Sequence, residues 1–149
     1  MIPPEPIDDQ SEVSPKRNLK VVVSGSFHRH MPAIREAIKH LQSMGVEVLS
    51  PSDSEGVDSA NDFVFLAGDT VRSIKAIEDR HLECIRAADF LWVVCPDGYT
   101  GSSTCLEIGA AIGFGVPVFA ATAAEDTTIS QYVTEAMNVA DAVSRIRKV

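Results

Sequence analysis

Residues 90–120 read FLWVVCPDGYTGSSTCLEIGAAIGFGVPVFA, and the fold class follows from them. The run 90–95 is uninterruptedly apolar and short, as expected of a central strand covered on both faces. A loop over 96–103 follows, passing Gly98 and Gly101 and presenting Ser102 and Ser103. A helix of small residues is expected over 104–115, and a further strand over 116–120. The unit is strand, helix, strand.

The same alternation extends outward in both directions. Upstream, 19–24 (LKVVVS) is short and β-branched, then Gly25 and Ser26 open a turn. From 32 to 44, Ile34, Ala37, Ile38, Leu41 and Met44 recur at three- and four-residue steps. Pro32 suits a first helical turn and Gly45 the position past the end, so an amphipathic helix is expected there. A strand over 46–49 comes next. The polar stretch 50–62 (SPSDSEGVDSAND) reads as a loop able to serve as a lid, and 63–66 as a short strand. Helical spacing runs over 71–88, and again over 129–146 with a break near Asn138. Residues 1–18 hold four of the eight prolines and few large apolar groups, which reads as a flexible arm ahead of one domain over 19–149. Strands alternating with helices imply a doubly wound, mostly parallel α/β sheet with helices on both faces. In such sheets ligands bind at the carboxyl ends of strands, so the loops after Ser24 and after Cys95 carry the function.

Composition narrows the partners. The chain has 149 residues, the size of one domain, with 21 Asp plus Glu against 13 Lys plus Arg, a net charge of -8. That balance argues against a nucleic-acid polymer, which needs a basic face. No apolar run approaches the roughly 20 residues of a membrane span, and no secretory signal opens the chain. Cys84, Cys95 and Cys105 are too few for a disulfide framework or a four-ligand zinc site. The expectation is a reduced, cytoplasmic protein.

Two loops offer chemistry. Around 96–104, glycines let the backbone approach a ligand, while N–H groups and hydroxyls at a helix start favour an anion. With the helix starting at 104, Glu107 falls in its first turn, where the macrodipole favours the ionised form. Equally, Ser103 or Thr104 caps the helix and Glu107 completes a capping box. In SGSFHRHMP, residues 24–32, Gly25 and Ser26 supply donors and Arg29 suits a phosphate, while His28 and His30 read as solvated. Cys105 reads as a small packing residue. No zinc-binding helix motif, dinucleotide fingerprint or P-loop occurs.

GSF at 25–27, AAD at 87–89 before an apolar strand, and GSSTCLEIGAAIGFGVPV at 101–118 together resemble the nucleoside 2-deoxyribosyltransferase family and its nucleotide N-glycosidase relatives. The likeness covers roughly 19–121. It implies a flavodoxin-like (Rossmann-like) parallel sheet, and Glu107 as the nucleophile that attacks the anomeric carbon of a nucleoside or nucleoside 5′-monophosphate. It also implies that Gly25, Ser26, Phe27, Arg29, Gly101, Ser102 and Ser103 cradle sugar and phosphate. His81, or else Asp97, would assist the departing base. His81 stands where members often carry aspartate, and Gly101 where many carry aspartate or serine. Such chemistry requires no metal and no organic cofactor. Water as acceptor gives a hydrolase, a second base a transferase. Family members complete their sites from a neighbouring copy, which implies a two-fold homodimer. PDGYTGSSTCLE also loosely resembles the loop of lysine-decarboxylase-like phosphoribohydrolases. A third reading is a catalytically silent nucleotide sensor.

Overall fold

The computed structural model describes residues 18–52, 56–60, 63–66 and 73–148, so the arm expected over 1–18 lies, apart from Asn18, outside the described residues. In chain order the elements are β1 (Lys20–Gly25), α1 (Phe27–Ser43), β2 (Glu47–Ser50), β3 (Gly56–Ala60), β4 (Phe63–Leu66), α2 (Ile74–Ala87), β5 (Phe90–Val94), α3 (Ser102–Phe114), β6 (Val118–Ala120), α4 (Thr127–Ser130), β7 (Thr134–Glu135) and α5 (Val139–Arg147). Five strands form one all-parallel sheet in the order β2-β1-β5-β6-β7. Counted along the sheet's own strands this is 2-1-3-4-5, the flavodoxin-like doubly wound arrangement, as expected.

Strand alternation divides the core in two. Val21, Val23, Phe90, Trp92 and Phe119 pack with Ile34, Ile38 and Leu41 of α1 and Val139, Ala142 and Val143 of α5. Val22, Leu91, Val93 and Val118 pack on the opposite face with Ile85 of α2 and Ile108 and Ala111 of α3. Burial on both faces explains why 90–94 carries no polar residue. Among the described residues no helix is long and apolar enough to cross a membrane.

Three expectations are corrected. The stretch read as a loop over 50–62 contains β3, which pairs antiparallel with β4 in a separate two-stranded ribbon. In the tail, Val133, Ala136 and Val139 recur at three-residue spacing and mimic a helix. Instead Asn138 caps α5 by accepting from Asp141 N–H at 2.9 Å, and Thr134–Glu135 pairs with β6 at the sheet edge. Helix α1 starts at Phe27, five residues before Pro32. His30 breaks its helical geometry (φ -124°, ψ 24°), so regular helix still begins where proline fits a first turn.

Candidate functional site

The second sheet strand lies on one side of β1 and the third, β5, on the other, so the crevice at the carboxyl ends of β1 and β5 is the topological switch point. Ser24, near the end of β1, is fully buried and by alternation shares the face of Val22. Its hydroxyl donates a 2.7 Å hydrogen bond to Glu107 Oε1. Glu107 projects from the second turn of α3 and is 4% exposed. His81, from α2, brings Nε2 to 2.9 Å from the same oxygen, and its Nδ1 lies 2.6 Å from Ser50 Oγ.

Ser50 reaches His81 through an irregularity in the sheet. Val21 pairs with Val48, but Val22 pairs with Ser50, so the ladder skips Leu49. Unbroken pairing would set Ser50 beside Val23, facing α1. The bulge turns its hydroxyl toward α2 instead. Glu78, one helical turn before His81, hydrogen-bonds the Glu107 carboxyl.

The two carboxyls differ in charge. Burial is the strongest single influence on Glu107 and opposes its ionisation, but the His81 charge and the hydrogen bonds from His81, Glu78 and Ser24 together outweigh it, and its carboxyl is held below the usual range. For Glu78 the forces add. Burial, then the charge and hydrogen bond of Glu107, then Asp79 push it up to about 9. The pair therefore holds one proton, on Glu78, and one negative charge, on Glu107. Such an arrangement supplies a buried carboxylate nucleophile beside a protonated acid.

A second cluster spans the crevice. Asp97 follows β5 and contacts Arg29 Nη2 at 3.1 Å and His30 Nε2 at 2.9 Å. Arg29 also stacks its guanidinium 4.2 Å from the centroid of the Tyr99 ring. The Tyr99 N–H, then His30 and Arg29, hold the Asp97 carboxyl below its ordinary range. Ser26, His28, Arg29 and Tyr99 line an open cavity of about 460 Å³.

The structure thus brings Glu107 and His81 together and ties Asp97 to Arg29 and His30 instead. His30, expected to be solvated, is buried on that carboxylate. Ser26 caps α1, its Oγ accepting from Arg29 N–H at 3.2 Å, and Phe27 packs against the core on the α1 side. Gly25 is demanded by packing: a Cβ there would meet Val94 O at 2.9 Å. Gly98 (φ +83°) serves a turn pressed against residues 123–125, not an approach to a ligand. Gly101 is the N-cap of α3, with Ser102 and Ser103 exposed in the first turn. Glu107 consequently lies one turn too deep for a capping box or a first-turn dipole effect, and its ionised state comes from His81 and the other bonds just described. Sequence reading missed Ser24, Ser50 and Glu78. The available signals were a hydroxyl closing an otherwise β-branched strand and a carboxylate three residues before His81 on one helical face.

Among the described residues, no cluster of three or more His, Cys, Asp or Glu side chains is placed to hold a metal ion. No protein-family model matches the chain, and no curated protein matches it.

Proposed function

We propose that the protein cleaves or transfers at the N-glycosidic bond of a nucleoside or nucleoside 5′-monophosphate, with Glu107 as nucleophile. The observation that carries this reading is a buried carboxylate kept ionised at the switch point by His81 and Ser24. As the bond from C1′ to the base nitrogen breaks, the sugar acquires oxocarbenium character. An anionic oxygen beside it stabilises that charge and closes to a glycosyl ester. Water then regenerates Glu107 in a hydrolase, and a second nucleobase does so in a transferase. His81 steadies the carboxylate between turnovers. Ser26, Arg29 and the exposed hydroxyls of Ser102 and Ser103 stand at the same carboxyl edge of the sheet, which suits the sugar and phosphate. The reading sets the protein in the cytoplasm, as a two-fold dimer. The test is chromatographic detection of free base after incubation with mixed nucleosides and monophosphates, wild type beside Glu107→Gln. Release by wild type and none by the variant supports it; equal release by both sinks it.

The near-complete enclosure of Glu107 favours one second reading, a silent nucleotide sensor. Calorimetric binding of a monophosphate without base release would select it.

A further inference from the structure

A nucleobase departs far more readily with a proton than as an anion, and ionised Glu107 has none to give. His81 serves the nucleophile instead: its Nε2 makes an ion-pair contact with Glu107 Oε1 at 2.9 Å, and its Nδ1 lies 2.6 Å from Ser50 Oγ. The remaining group is Glu78. Its carboxyl touches that of Glu107, and its Oε1 is buried with no hydrogen-bond partner among the described residues.

We propose that Glu78 is the general acid of the site, delivering its proton to the departing nucleobase while Glu107 takes the anomeric carbon. This deepens the glycosidic reading and rests on it. In the first half-reaction the C1′–N bond breaks and its electron pair passes to the base nitrogen, which takes the Glu78 proton. A Glu107 oxygen forms the bond to C1′, and Glu78 becomes a carboxylate. In the second, Glu78 takes a proton from the water that attacks C1′, the ester bond breaks, and Glu107 is again ionised. Atoms and charge balance over the cycle.

Neighbours assign the proton in the resting pair. Ser24 of β1 and His81 of α2 both act on the Glu107 oxygen, whereas Glu78 faces Glu107 of α3 and adjoins Asp79 on its own helix. From β2 the network receives the uncharged hydroxyl of Ser50. A carboxyl raised to about 9 still carries its proton at neutral pH, which is what a general acid requires.

The test compares wild type with Glu78→Gln on two substrates: a nucleoside whose base wild type releases, and para-nitrophenyl riboside, whose leaving group needs no proton. The expected result is a first-turnover rate of base release lower by about a hundredfold or more, with the first-turnover burst of nitrophenolate, which precedes the water step, within about threefold of wild type. First-turnover base release by wild type should also fall as pH rises through about 9, a limb missing from the nitrophenolate burst. Equal losses on both substrates, or unimpaired base release, would overturn the role of Glu78 and leave Glu107 standing. Wild type that releases neither base nor nitrophenolate would overturn the glycosidic reading and this assignment together. Should the variant fail to fold, or the riboside not be accepted, the wild-type profile decides: base release that stays flat through that limb overturns the assignment.

Discussion

Ser24 Oγ and Glu107 Oε1 are joined by a buried 2.7 Å hydrogen bond across 83 residues of chain. The contact ties the first strand of the sheet to the helix that follows its third. Whatever holds Glu107 in place therefore holds the two sides of the switch point in register as well.

Replacing Glu107 with Gln retains the shape that Ser24 bonds but removes the charge that His81 faces. Turnover should fall by several orders of magnitude while the nucleotide still binds. Base release, binding and melting measured on one preparation check this.

Glu78 makes stability depend on pH. Its folded value is raised, so below 4.5 both states are protonated and nothing is lost. Between 4.5 and about 9 the unfolded chain releases a proton that the folded chain keeps, and stability declines as pH rises. Glu107, held low, has the opposite sign: its contribution is present above its ordinary value of 4.5 and is lost as pH falls through the folded value. Glu78→Gln should thus raise the melting temperature above that of wild type at mildly alkaline pH, with the gain shrinking toward 4.5. Thermal melts across that range decide it.

Gly25→Ala sets a methyl group against Val94 O at 2.9 Å and Ile34 Cδ1 at 3.1 Å. Backbone cannot yield as a flexible side chain can. A loss of about 1–3 kcal/mol in chemical denaturation is expected, with nucleotide affinity falling only as far as the strands separate.

Ser50→Ala deletes the partner of His81 Nδ1. Stability should drop by roughly 1 kcal/mol, and kcat should fall while KM holds, because the hydroxyl positions His81 and does not meet substrate. Ser50→Thr, which keeps the hydroxyl, should restore most of the loss in the same steady-state assay.

The proposed dimer has a direct test. Leu106 and Ile112 of α3 are exposed, at 54% and 44%. Leu106→Lys should convert a dimer to monomer in light scattering. Wild type that is monomeric at micromolar concentration removes the proposal.

Hydrophobic period made most of the sheet legible. Val21, Val22 and Val23, and the run from Phe90 to Val94, are apolar on both faces because helices cover both. Period was also what misled in the tail, where Val133, Ala136 and Val139 keep helical spacing while the intervening Thr134 and Glu135 pair with β6. Glu107 and His81 stood out through motif likeness, yet spacing could not say that they touch. Nor could it say that Asp97 turns to Arg29 and His30. Those choices are made by side chains meeting across elements, and in the case of Ser50 by a fault in strand pairing that no periodicity records.

That skipped residue separates two kinds of inheritance. A ladder that ran unbroken, with Leu49 opposite Val22, would retain the hydrophobic alternation that builds the sheet, yet its Ser50 hydroxyl would point to the wrong helix layer. Architecture and chemistry can therefore part company through a shift of one residue in strand register. Two sheets alike in outline would differ in what holds His81, and the pairing opposite Val22 is the place to tell them apart.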